Sequence, residues 1–570
     1  MKHLYLTYLD YKNSKIYNNH SILGSWFNQN TNKFKKNILP YHWRNIPTQE
    51  KDYIYLKKIR VNVLDFLIKE LNKFHCINYS KQEWVIILEP FLQTYLTVIF
   101  DRWKIINSLP RNKKYKVNFY KINSIDFCNM SDFIENSFTD MWNQKVFQEI
   151  IIYLNFKNIK KINHKKIFNQ TRKISPIVSK MRILDYFFLL FDKLFFSKHK
   201  KIFFFDYNFA KFFFLKLNLL SNVFPNFVSI KNKINFHYKP LKKNYSIRNL
   251  FFSNYKSKDN FEKFFLDNLK ENLPTFCIED FKKVNKKLES LSFFPKYIFS
   301  FGEHWSNQNF KIWLASKVHQ GSKFISIEHG GSFPYKFGYF GFEEEMSYRV
   351  IKWHIPLHKK HKQLVSPKIF GIESNNKIKK NCSVIYDRYF NFTLTLDQPV
   401  SGSEVVIKKN LLRFVNNLDN NIKKVLKIKF HPSDYFDMQN VSKTFDNFQE
   451  KEKNIHNVFS RSKIVICFYP ETTFSEAIAS NTPAILFLKN DTYKLHNYSN
   501  KIIKKLKKEK IIFDDPREMA HHINLYWSNI NLWWNNKNTE KAKNIFKKKF
   551  LGFNNKAPLE QWIGFLKKLN

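Results

Sequence analysis

From Lys296 to Leu488 the chain repeatedly sets a short apolar run, a polar or glycine-bearing loop and a stretch of helical periodicity in that order. Tyr297–Phe301, Phe324–Ile327, Ser383–Tyr386, Val425–Phe430, Lys463–Phe468 and Ala484–Leu488 read as strands. Asn309–His319 and Ser403–Leu418 read as helices. This alternation constrains the fold more than any other feature. Parallel strands need crossover helices, and those crossovers are right-handed. The prediction is an α/β protein with parallel sheets, whose ligands meet the carboxyl ends of the strands.

The flanks read differently. His3–Thr7 and Lys201–Phe205 are short strand candidates, and Asp259–Asn272 is a helix candidate. Apolar residues recur at helical spacing from Gln49 to Asn72, and Ser80-Lys-Gln-Glu83 is a capping box that opens a second helix carrying Trp84 to Trp103. The last part, through Trp533 and Trp534 to Leu569, is helical. At 570 residues one core does not suffice. The polar stretch Ser366–Lys380 is the expected junction, which divides the chain into 1–375, 376–545 and a returning helix at 546–570.

Lys and Arg number 96 against 47 Asp and Glu, so the net charge is +49. Such a field draws polyanions: nucleic acid, anionic lipid or nucleotide-activated substrates. Lys, Asn, Ile, Phe and Tyr are inflated evenly along the chain, however, so charge alone does not select among them. The five cysteines are scattered, with no Cys/His spacing suited to zinc, and neither a disulfide framework nor a structural metal is expected. The N-terminus reaches charged residues too early for a signal peptide, and Tyr186–Leu217 is interrupted by Asp192, Lys193 and Lys198–Lys201. The expected setting is cytoplasmic, peripheral on a membrane at most, with Tyr186–Leu217 as the expected contact face.

Four strand ends carry candidate chemistry. The protein has 11 glycines, and six of them lie within Gly302–Gly341. There Phe324–Ile327 runs into Glu328, His329, Gly330 and Gly331, and the preceding strand runs into Gly302 and Glu303. Paired glycines suit close approach of backbone to a ligand. A His with an ordinary pKa of about 6.5 suits proton transfer, so His329 is the candidate base, with Glu328 and Glu303 as the other catalytic candidates. His431 and Pro432 stand at the end of the fourth strand, where His431 can meet a phosphate oxygen. After Lys463–Phe468, Thr472 and Thr473 open a helix and Glu476 follows one turn in. Free amides at such a helix start bind phosphate, and Glu476 is placed to accept ribose hydroxyls.

Glu476-Ala477 followed by Pro483 and an apolar strand resembles the donor half of GT-B glycosyltransferases. The His-Gly at 329–330 and His-Pro at 431–432 are similar to capsule and teichoic-acid transferases. In those families the first His lies on the acceptor side and the second on the donor phosphate. Nearly the whole chain resembles a family of transferases in O-antigen biosynthesis, at Leu23-Gly-Ser-Trp26, Tyr41-His-Trp43, Phe100-Asp-Arg-Trp103, Glu328-His-Gly-Gly331, Glu471-Thr-Thr-Phe-Ser-Glu476, Asn481-Thr-Pro483 and Trp533-Trp534. It departs from that family at Glu328, where Gln usually stands, at Phe333-Pro334 in place of Tyr-Gly, at Arg44 and Asn45 where acidic residues usually follow the Tyr-His-Trp, and at Lys352-Trp353-His354, which replaces a usual Trp-Gly-Trp.

The resemblance implies a GT-B-like fold: two Rossmann-like domains facing across a cleft, with helical N-terminal and C-terminal additions. It implies transfer of a sugar from a nucleotide-sugar donor to a lipid-linked or glycan acceptor, with a possible anionic membrane surface as partner. No cofactor is implied, and without an Asp-x-Asp triplet no metal is expected on the diphosphate. A specific nucleic-acid partner is not expected, since RNP-like, KH-like and zinc-finger patterns are missing. Two readings compete with the transferase: a basic nucleic-acid-binding protein, and an inactive nucleotide-sugar-binding relative.

Overall fold

The computed structural model describes residues 1–15, 17–29, 38–123, 126–169, 201–206, 209, 211–221, 228–331, 333–338, 340–369, 379–386, 391–396, 400–431, 439–489 and 492–569. Among these, the strands form three parallel sheets in a mixed α/β architecture. The first holds β1 (Lys2–Tyr5), β2 (His20–Ile22), β3 (Tyr115–Asn123) and β4 (Ile159–Asn169), in the order β2-β1-β3-β4. The middle sheet holds β5 (Ile202–Phe204), β6 (Tyr297–Ser300), β7 (Lys323–Ile327), β8 (Arg349–Lys352) and β9 (His361–Gln363), side by side in chain order. The third holds β10 (Asn381–Ile385), β11 (Leu426–Lys429), β12 (Ser462–Cys467), β13 (Ala484–Phe487) and β14 (Ile512–Phe513).

The third sheet runs β11-β10-β12-β13-β14. Strand β10 therefore has β11 on one side and β12 on the other, and the chain reverses direction across the sheet at that point. Open α/β sheets take ligands in the crevice at the carboxyl ends flanking such a reversal. Ile464–Cys467 and Ala484–Leu486 are all fully buried, as expected of strands covered by helices on both faces.

All eight strands read from the sequence are present to within two residues at each end. The first sheet, by contrast, is a correction: the N-terminal addition is not only helical. Strand β3 carries Lys116 and Lys121, β4 carries the pairs Lys160-Lys161 and Lys165-Lys166, and β4, on the sheet's edge, is mostly exposed. An edge strand facing water does not need the apolar run that marks a buried one. Ile46–His75 and Lys81–Asn107 are the two long helices, with Ser80 accepting from the Gln82 amide at 3.2 Å. Lys81–Asn107 is long and apolar enough to cross a membrane, yet its apolar window is buried entirely inside the protein. The C-terminal helix Pro558–Lys567 packs on the middle sheet, with the Trp562 indole donating to the Val365 carbonyl at 2.9 Å. The expected junction falls largely on 370–378, outside the described residues, as do residues 186–200 of the expected membrane-contact stretch.

Candidate active site

At the carboxyl edge of the middle sheet three strand ends converge. Asp206, just past β5, accepts from the amides of Phe301 (3.0 Å) and Gly302 (2.8 Å), and so fixes the turn after β6. His329, just past β7, is exposed and packs against that turn: a Cβ on Gly302 would stand 3.3 Å from its Nδ1. Glu303 accepts from the Asn307 carboxamide at 2.8 Å. Burial raises its pKa above the ordinary carboxyl range and the Asp206 charge adds to this, while Asn307 and Lys231 act against it. A partly buried carboxyl that holds its proton beyond the usual pH is the kind of group found in acid–base roles.

Glu328 faces elsewhere. Its carboxylate accepts from the Trp353 amide at 3.0 Å and lies 3.4 Å from the Lys352 ammonium. Burial alone would raise its pKa, but Lys352, His354 and the Trp353 amide outweigh it and hold the group below its ordinary value. Glu328 is thus an ionised anchor between β7 and β8. Two of the departures from the resembling family, Glu328 for Gln and Lys352 in the place of the usual Trp-Gly-Trp, are partners in this pair.

The loop after β7 lies along the third sheet. Gly330 meets Thr472 so closely that a Cβ on the glycine would overlap the Thr472 hydroxyl, and the Lys368 ammonium is 3.9 Å from the same point. Tyr335 donates to Glu471 at 2.9 Å, the Lys336 amide donates to the Lys494 carbonyl at 2.8 Å, and the His496 amide donates to the Pro334 carbonyl at 2.7 Å. Glu471 precedes the helix Thr472–Ala479 without capping it, which leaves that helix start without a side-chain acceptor from the N-cap position. The Thr473 hydroxyl shares a 2.6 Å bond with Tyr469. One turn in, Glu476 is 6% exposed; burial pushes its pKa up to about 7, and Lys368 partly opposes the shift.

The structure therefore brings together Gly330, Thr472 and Glu476 and adds Lys368. Asp206 and Lys368 were not singled out from sequence. Asp206 could have been, because it directly follows the strand read at Lys201–Phe205. Lys368 sits in the short turn Pro367–Ile369, inside the stretch read as a junction, and carries no local signal. His431 stands apart. It is exposed at the end of β11, with β10 between it and β12, so about 10 Å of sheet separates the two strand ends.

Residues 2–566 match the family described as LIC12162 family transferase. The chain belongs to the LIC12162 family of transferases. Among curated proteins none matches it. A solved glycosyltransferase from Rickettsia africae ESF-5 is similar over 50% of this chain and 80% of its own, with 12% identity and a TM-score of 0.30.

In this LIC12162-family transferase the motifs near the N-terminus are buried against residues 391–396 and 400–402, which follow β10 in the chain. Asp101 accepts from the Tyr41 hydroxyl and lies 3.1 Å from His42 Nε2 and 2.7 Å from the Arg102 guanidinium. Arg102 also donates to Asn143 (2.9 Å) and to the Thr393 carbonyl (2.6 Å). Trp26 packs on Phe392, and the Ser25 and Ser401 hydroxyls are 3.3 Å apart. The Asp101–Arg102 pair is buried and ties residues 391–396 to the N-terminal helices.

The Gly330–Thr472 approach can be tested on its own. Gly330→Ala is expected to destabilise the protein by about 1–3 kcal/mol through overpacking. In a Thr472→Ala background most of that loss should disappear, since the remaining Cβ–Cβ distance of 3.6 Å is ordinary contact. Additive urea-denaturation losses would show that the two loops do not touch.

Proposed function

We propose that this transferase is a metal-independent glycosyltransferase of GT-B type. In this reading the cleft lies between the middle sheet and the third, a nucleotide-sugar is the donor, and a lipid-linked or glycan precursor of a surface polysaccharide is the acceptor. The observation that carries the reading is the contact of the Gly330 loop with the helix start at Thr472, where Lys368 and Glu476 meet. The uncapped amides and Lys368 offer positive charge to a diphosphate without a divalent ion. The Glu476 carboxylate, buried beside them, accepts from ribose hydroxyls. Thr472 and Thr473 add hydroxyls at the same helix start, and His431 serves the outer phosphate edge. The O-antigen-type acceptor is supported by the resemblance of the seven motifs, and a cytoplasmic setting follows from the nucleotide donor.

The chemistry is a substitution at the anomeric carbon. The acceptor oxygen forms a bond to that carbon and gives its proton to His329, with Glu303 as the alternative base on the adjoining turn. The anomeric carbon–phosphate oxygen bond breaks, and its electron pair leaves with the nucleotide diphosphate onto the helix amides and Lys368. Glu328 keeps the His329 loop in place through β8. A thermal-shift panel of nucleoside mono- and diphosphates tests the donor site: saturation at about 100 times Kd contributes about 2.7 kcal/mol of apparent stability. A panel in which no nucleotide raises Tm would overturn the reading.

A further inference from the structure

The middle sheet has a second edge, opposite the candidate active site. Its five strands are parallel, so their amino ends lie on one side. Every strand there is opened by a cation. Lys201 and Lys296 immediately precede β5 and β6, Lys323 and Arg349 are the first residues of β7 and β8, and Lys359 stands two residues before β9. Neighbouring strands are about 4.8 Å apart, so the row extends for about 20 Å.

Mid-row there is a concavity of about 620 Å³, lined by Lys323, Arg349, Lys359, Lys360 and Tyr348 among others, with no carboxylate in its wall. The Lys323 ammonium is 4.5 Å from the centre of the Tyr348 ring, and the Arg349 guanidinium is 5.6 Å from it, so two cations stand over one aromatic ring. Lys360 donates to the carbonyls of Glu344 (2.6 Å) and Ser347 (2.8 Å), which ties the β9 side of the concavity to the residue before Tyr348.

Large apolar side chains stand out of the same edge. Phe294 is 54% exposed two residues before Lys296, and Tyr348 is 37% exposed. Leu357 is 39% exposed two residues before Lys359, with its amide on His361 Nδ1 at 3.3 Å. Cations interleaved with protruding Phe, Tyr and Leu match a bilayer interface, where aromatic and aliphatic side chains enter the headgroup layer and ammonium groups meet lipid phosphate.

We propose that this amino edge docks the protein on an anionic membrane surface, with a phosphodiester headgroup in the concavity between Lys323, Arg349 and Lys359. A single-stranded nucleic acid would use the cations and rings, but it has no use for the exposed leucine. The proposal does not depend on the transfer reaction.

Co-sedimentation of the full chain with phosphatidylcholine vesicles, alone and with added phosphatidylglycerol, tests it. Binding should require phosphatidylglycerol. The triple variant Lys323→Gln/Arg349→Gln/Lys359→Gln should lose about 5-fold per cation, on the order of 10²-fold in all. A control triple at exposed lysines elsewhere, Lys537→Gln/Lys541→Gln/Lys556→Gln, should stay within about 2-fold of wild type, since the attraction falls off within a Debye length of the surface. Phe294→Ser/Leu357→Ser should weaken binding with all charges retained. Equal losses in both lysine triples, or binding indifferent to phosphatidylglycerol, would overturn the docking face. So would a triple variant that loses poly(U) binding but keeps vesicle binding. Unchanged circular dichroism in each variant separates these outcomes from misfolding.

Discussion

Arg102→Ala is expected to cost about 3–5 kcal/mol of unfolding free energy, because it strands a buried carboxylate. The Arg102 side chain is 1% exposed and Asp101 is 2% exposed, with the Asp101 carboxylate otherwise held by Tyr41 and His42. Burial keeps the Tyr41 phenol well above its usual pKa, so it remains a donor to Asp101 throughout. The substitution also frees Asn143 and the Thr393 carbonyl, which loosens the connection leaving β10. Arg102→Lys should recover little, since one ammonium cannot reach Asp101, Asn143 and Thr393 together. A urea midpoint shifted by less than about 1 kcal/mol would mean that the N-terminal motifs do not secure that loop.

His329→Ala and His329→Gln are each expected to lower kcat by about 10²–10⁴ while leaving nucleotide affinity nearly unchanged. The imidazole is exposed just past β7, against the turn after β6 that Asp206 fixes, while Thr472 and Glu476 belong to the helix after β12. In the proposed reading, proton abstraction and donor binding draw on different sheets, so a substitution on one should not disturb the other. Glu303→Gln separates the two base candidates. If Glu303 takes the proton, its variant shows the large kcat loss and the His329 variants do not. A His329 variant that loses nucleotide binding would place this side chain on the donor instead.

The sequence made the buried parts of the fold legible. Strands such as Phe324–Ile327 and Lys463–Phe468 are continuous apolar runs because helices cover both of their faces, and their ends could be read from the glycines and hydroxyl residues that follow. Of the first sheet only β1 was legible, at His3–Thr7; Ile159–Asn169 was not, since its paired lysines and polar residues lie on an exposed edge. Within the site, the pairing of Gly330 with Thr472 depends on two loops 142 positions apart, and no local pattern encodes that contact. Glu328 and His329 were both catalytic candidates in the sequence, with His329 preferred as the base, and nothing local showed what Glu328 binds. Lys352 decides between them by holding Glu328 toward β8. The cation row on the middle sheet was hidden for a different reason: in a chain with 96 Lys and Arg, five cations become a pattern only when parallel strands bring their amino ends together.

The central claim is that the cleft at Thr472 and Glu476 holds a nucleotide, with the ribose on the carboxylate and the diphosphate on the helix start. Isothermal titration of wild type and Glu476→Gln, each with a nucleoside diphosphate and with inorganic diphosphate, tests it most directly. The account predicts that Glu476→Gln weakens the nucleoside diphosphate by about 10-fold or more, the cost of a hydrogen bond to a charged group, and leaves inorganic diphosphate within about 2-fold. Equal weakening of both ligands, or no binding of either to wild type, would contradict it.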